Sequence, residues 1–145
     1  MSSESPVSET PIQRLRNVRS SLLNLHKTLL DYERKAFERV VGRITNNYEL
    51  LQLVMHDPWF AWLHRISELI VQMDEKLDMD EQALESEVVV ALIEQAKGLL
   101  IPSESGDEFQ RKYFTALQDS SEVVMTHAQT IRLLANSGDG QKKGR

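Results

Sequence analysis

Residues 10–37 read TPIQRLRNVRSSLLNLHKTLLDYERKAF, and the spacing of their apolar positions decides the fold class. Thr10 suits a helix N-cap, Pro11 suits the first helical position, and Gln13, three residues after Thr10, completes a capping box. Leu15, Val18, Leu22, Leu25, Leu29, Tyr32 and Ala36 then recur at three- and four-residue steps, which is one helix face. A second stripe, Leu23, His26, Leu30, Glu33, Phe37, Val40 and Ile44, lies beside the first. A helix that is apolar on two stripes packs against more than one neighbour.

Working outward, Gly42 and Thr45-Asn46-Asn47 are poor helix formers, and Asn46 with Glu49 three residues on marks a new start. An unbroken helix to residue 55 would run roughly 67 Å, longer than any later helix, so a break at residues 42–47 and a short helix over 48–55 are expected. Asp57 as cap and Pro58 in the first turn open the second main helix. Trp59, Trp62, Leu63, Ile66, Leu69, Ile70, Met73 and Leu77 form its stripe, and it ends in the acidic turn Asp78-Met79-Asp80. A third helix is expected from about Glu81 to Leu100, with Leu84, Val88, Ala91, Leu92, Ala96 and Leu99 inward, widened by Val89, Val90, Ile93 and Leu100, and stopped by Pro102. A fourth, capped by Ser105 with Glu108, carries Phe109, Tyr113, Leu117, Val124, Ala128, Ile131 and Leu134 to the breaker Ser137-Gly138. Helices one and four come to about 45 Å and helices two and three to about 30 Å. The sequence therefore predicts an all-α fold: an antiparallel up-down four-helix bundle over residues 11–136, with an additional short helix between the first and second main helices. The tails, residues 1–10 and 137–145, are expected to be disordered.

Composition narrows the function classes. Without cysteine there is no disulfide framework and no thiolate site. No apolar run is long enough to span a bilayer, and residues 1–10 lack the apolar core of a signal peptide, so a cytoplasmic location is expected. The net charge of −5 is unevenly spread. Arg14, Arg16, Arg19, Lys27, Arg34, Lys35, Arg39 and Arg43 make the first helix basic, whereas residues 68–94 are strongly acidic. Neighbouring helices of opposite charge explain this pattern. A nucleic-acid footprint on the first helix is the sharper alternative, but no aromatic-interleaved groove or helix-turn-helix pattern accompanies it.

Catalytic signatures are lacking. Ferritin-like carboxylate sites need Glu-x-x-His on two helices, and no histidine here has a glutamate three positions earlier. There is no His-Glu-x-x-His and no glycine-rich phosphate loop, and Ser67, Ser120 and Ser121 have no nucleophile-elbow context. His64 and Glu68 share a hemerythrin-like spacing, but they point away from the apolar stripe and read as a surface pair. His56 reads as part of a helix junction. A metal- or haem-binding bundle would draw on His26, Glu33 and His127, although a lone inward histidine is more often a hydrogen-bonded structural residue. No cofactor is predicted.

The aromatic cluster at Trp59, Phe60 and Trp62 is the least ordinary feature. Its plain reading is a bulky plug that locks the short helix onto the second main one. The functional reading makes Trp59, Phe60, Trp62 and Val71 an interaction surface, with Phe60, Val71 and the rim of Trp59 outermost. The run Leu53-Val54-Met55-His56-Asp57-Pro58-Trp59-Phe60-Ala61-Trp62-Leu63, followed by Ser67-Glu68-Leu69-Ile70-Val71, resembles a group of short bacterial proteins that carry a similar His-Asp-Pro-aromatic-Phe-Ala-Trp-Leu segment after a long first helix. The resemblance covers about the first half of the chain. It implies a bacterial source and an all-helical fold, and it brings no activity, cofactor or catalytic residue. The expectation is thus a non-catalytic helical protein acting by association with itself or another protein, most simply as a homodimer. The contact would use the Phe60 side of helix two or the overhang of helices one and four.

Overall fold

The computed structural model describes residues 9–79 and 85–143, with side chains described through residue 135. The described chain is all-helical. α1 spans Pro11–Val40, α2 Asn47–His56, a 3-10 helix Pro58–Leu63, α3 His64–Leu77, α4 Ser86–Leu99, α5 Glu108–Asp119 and α6 Ser121–Lys143.

α1 is the spine. The Thr10 hydroxyl accepts the Gln13 N–H at 3.1 Å while the Gln13 side chain accepts the Thr10 N–H at 3.2 Å, the reciprocal capping box. Its buried side is Leu15, Val18, Leu22, Leu25, Leu29, Glu33 and Phe37. The first expected stripe therefore holds as far as Leu29, then crosses to the second through Glu33 and Phe37, leaving Tyr32 and Ala36 half-buried. Three consecutive four-residue steps, Leu25 to Leu29 to Glu33 to Phe37, each carry the buried face about 40° around the helix and so move it onto the second stripe. Gly42, at φ +156°, follows the end of α1 in backbone space that L side chains rarely adopt.

α1 packs chiefly against α6 and α3, and also against α4 and the 3-10 helix; α4 in turn touches α3 and α6. α2 leans on the 3-10 helix, and α5 contacts both the 3-10 helix and α6. Polar ties run between these elements. The Ser21 and Thr130 hydroxyls lie 2.7 Å apart across α1 and α6, and the Tyr32 hydroxyl donates to Asp119 at 2.7 Å. Arg19 of α1 pairs with Asp74 of α3, so the basic first helix does meet the acidic stretch.

Several expectations are corrected in the second half. α4 begins at Ser86 because Glu85 is extended; the expected earlier start at Glu81 and the inward Leu84 lie outside the described residues. Its buried face is Val89, Leu92, Ile93 and Ala96, and Ala91 is exposed. The single fourth helix is two: Ser120 takes an extended conformation that ends α5, and its hydroxyl accepts the Val123 N–H at 3.2 Å to start α6. That break moves the buried face from Val124 and Ala128 to Val123 and Thr130, while the expected Leu134 is buried as read. The cap of α5 is Asp107 with Gln110 rather than Ser105 with Glu108. α6 also continues past Ser137-Gly138, since a glycine weakens an established helix by only about 1 kcal/mol. Most of the expected N-terminal tail, residues 1–8, and residues 144–145 lie outside the described residues.

Candidate functional site

The segment after Asp57 is wound as a 3-10 helix, and this sets the direction of every aromatic side chain in it. Asp57 caps it through the Trp59 N–H at 2.8 Å, with Pro58 in the first turn. With three residues per turn, positions i and i+3 eclipse. Pro58 and Ala61 therefore share the exposed face, Trp59 and Trp62 share a second, and Phe60 and Leu63 share a third, which is buried. The α-helical reading placed Phe60 outward towards a partner; in the structure it is 0% exposed. Val71 is 52% exposed on α3, so Phe60 and Val71 do not form a joint surface.

Both indoles end on one buried carboxylate. Glu33 Oε1 accepts the Trp59 Nε1–H at 2.9 Å, and Oε2 accepts the Trp62 Nε1–H at 2.8 Å. An indole only donates, so a two-oxygen acceptor satisfies two such groups at once. Phe37 meets Trp59 edge-on at 5.5 Å and Phe60 at 5.7 Å. Trp62 continues through Phe109 at 5.3 Å, Tyr113 at 5.6 Å from Phe109, and His127 at 5.3 Å from Tyr113. The Arg65 guanidinium lies 5.7 Å from the Phe109 ring centre, within cation–π range. These contacts join α1, α3, α5 and α6 around the 3-10 helix.

Two of the three alternative metal residues, Glu33 and His127, are engaged elsewhere. Glu33 holds the two indoles. His127 Nδ1 lies 2.5 Å from the Tyr113 hydroxyl. Burial pushes the tyrosine up and the histidine down, so near neutral pH the phenol donates to a neutral imidazole. His26 is half-buried and is held below its ordinary value by burial and by the nearby His64. Among the described residues no three histidine, aspartate or glutamate side chains group as a metal site. His64 does not pair with Glu68; its Nε2 is 2.9 Å from the Val54 carbonyl and fastens α2 to α3. An open groove of about 550 Å³ between α1 and α6 is lined by Lys27, Asp31, Arg34 and Glu122 around Leu30 and Met125. Its charges alternate in sign and present no nucleophile–base pair.

The surface the sequence reading missed is on α2. Asn46 caps it through the Glu49 N–H at 2.8 Å. The Glu49 carboxylate accepts the Thr45 N–H at 2.9 Å and hydroxyl at 2.8 Å, which lowers its pKa. Leu50, Leu53 and Val54 lie half-buried against the core. On the other side Tyr48, Leu51 and Met55, at i, i+3 and i+7, are 72%, 52% and 51% exposed. No residue of α2 is fully buried. Six of its ten residues are apolar, distributed around the helix, a pattern normal for a helix covered on both sides. That composition was the available signal. No helix among the described residues is long and apolar enough to cross a membrane.

Comparison with protein-family models, curated proteins and solved structures finds no match.

Proposed function

We propose that this chain is a non-catalytic helical protein of the cytoplasm that acts by association with a protein partner through the outer face of α2. In this reading α1, α3, α4 and the α5–α6 pair form an antiparallel up-down four-helix platform, and the Glu33–tryptophan lock holds α2 on it. The observation that carries the reading is the exposure of Tyr48, Leu51 and Met55 on a helix that is apolar on both sides. Three large apolar side chains in register on one short helix are the anchors of a helix-face contact.

The test compares the wild-type chain with Leu51→Glu/Met55→Glu. Both substitutions sit on exposed positions, so circular dichroism and the urea midpoint stay close to wild type. Quantitative affinity capture from the source cells, counting the chain itself among possible partners, shows at least one partner depleted tenfold by the double substitution. An identical partner set for both chains overturns the reading.

A further inference from the structure

We infer that Tyr113 and His127 form a redox-active pair, the end of a route by which an electron vacancy made on the tryptophans by a small oxidising radical leaves the Glu33 lock. This inference is independent of the association reading. After thiols, indoles and phenols are the side chains that one-electron oxidants attack most readily, and the chain has no cysteine, two tryptophans and three tyrosines. Both indoles are held on one carboxylate, Trp59 half-buried and Trp62 buried. From Trp62 the rings follow one another to Phe109 at 5.3 Å and on to Tyr113 at 5.6 Å from Phe109. Rings in contact provide an electron path, and Phe109 bridges it without being oxidised.

An indole or a phenol becomes a strong acid when it loses an electron, so each step needs a base already hydrogen-bonded to the ionising group. Both bases are in place. The Trp62 N–H lies on Glu33 Oε2 at 2.8 Å, and the Tyr113 hydroxyl lies 2.5 Å from His127 Nδ1. Burial keeps His127 neutral near neutral pH, so Nδ1 accepts. In the first step the oxidising radical takes one electron from Trp59 or Trp62 and becomes an anion, while the indole N–H proton moves to Glu33. In the second, Tyr113 gives one electron through Phe109 to the indolyl radical, which recovers its proton from Glu33. The phenol proton of Tyr113 moves at the same time to His127 Nδ1. The products are intact tryptophan, a Tyr113 phenoxyl radical and a protonated His127. One electron from a reductant of the ascorbate class, with the proton returned by His127, restores the starting pair.

Tyr113 differs from the other two phenols. Tyr48 is 72% exposed, and Tyr32 donates to Asp119. Neither makes a ring contact among the described residues. The carboxylate facing Tyr32 is also the weaker base, with an ordinary pKa of about 4 against about 6.5 for imidazole. Full burial of Tyr113 keeps its phenoxyl from coupling with a second radical.

The test uses the full chain carrying Tyr48→Phe, which removes the exposed phenol that an oxidant reaches directly. Azide radicals from a radiolysis pulse near neutral pH oxidise the indoles, and the indolyl and phenoxyl absorptions are followed in time. The expected result is indolyl decay matched by phenoxyl growth at a rate independent of protein concentration. Adding Tyr113→Phe is expected to cut the phenoxyl yield about fivefold and lengthen the indolyl lifetime by a similar factor. Adding His127→Gln, whose amide accepts a hydrogen bond but no proton, is expected to slow the transfer about tenfold. Adding Tyr32→Phe is expected to change neither. Circular dichroism verifies that each variant is folded. Absence of phenoxyl growth, or growth undiminished by Tyr113→Phe, overturns the route. Loss of the signal in Tyr32→Phe assigns the end point to Tyr32 and overturns the pair, as does an unchanged rate in His127→Gln.

Discussion

Glu33 of α1 and Trp62 of the 3-10 helix are joined by a buried hydrogen bond of 2.8 Å, from the indole N–H to one carboxylate oxygen. The other oxygen holds Trp59 at 2.9 Å, so one side chain on the spine fixes both tryptophans of the protein. The lock orients the 3-10 helix, which carries α2, and through it the exposed face on which the proposed function rests.

Removing the acceptor leaves one buried donor, Trp62, and one half-buried donor, Trp59, without their partner, and an orphaned buried group costs about 1–3 kcal/mol. Glu33→Ala is therefore expected to lower stability by about 2–5 kcal/mol, read from urea unfolding followed by tryptophan emission. Glu33→Gln keeps one good acceptor and is expected to lose about half as much. A Glu33→Ala chain as stable as wild type, with unchanged emission, contradicts the lock.

Phe60 and Val71 separate two readings of the same segment. Phe60→Ala empties a fully buried site and is expected to cost about 3–5 kcal/mol. Val71→Ala, on an exposed helix position, is expected to stay within about 0.5 kcal/mol. Thermal unfolding of the two variants side by side checks the order.

The histidines give a pH signature whose sign is fixed by burial. His26 and His127 both titrate below the ordinary value of 6.5 in the folded chain. The unfolded state thus takes up protons first as pH falls, and stability present above about pH 6.5 declines below it. Urea midpoints measured from pH 8 to pH 5 are expected to drop below pH 6.5, and His127→Gln is expected to flatten the drop. Tyr113→Phe, which removes the hydroxyl that contacts His127, is expected to cost about 1 kcal/mol at pH 7.5. A midpoint that rises on acidification contradicts the assignment.

At Ser120, loss of the side-chain cap is expected to cost about 0.5–2 kcal/mol in Ser120→Ala. Calorimetry checks it against Ser121→Ala, which removes no such bond and stays near wild type.

How much of this was legible without coordinates follows from how local each signal is. The Thr10–Gln13 box, the cap at Asn46, the short helix after it and the buried run Leu15 to Leu29 all depend on residues within a turn or two of each other. Chain chemistry alone therefore predicts them. Ser120 was missed because Leu117, Val124 and Ile131 keep helical spacing across it, and one extended residue shifts the face without disturbing that pattern.

The aromatic segment shows where local information stops. An α-helix and a 3-10 helix differ by only about 20° per residue, and Pro58-Trp59-Phe60-Ala61-Trp62-Leu63 suits either. Residue types alone establish that this is an all-helical chain with a proline-led aromatic turn after a short helix. The tertiary structure decided that the turn winds tightly, because only then do two indole N–H groups three residues apart reach the two oxygens of Glu33. The same winding turns Phe60 inward, and the packing of Leu50, Leu53 and Val54 against the core leaves Tyr48, Leu51 and Met55 of α2 facing solvent.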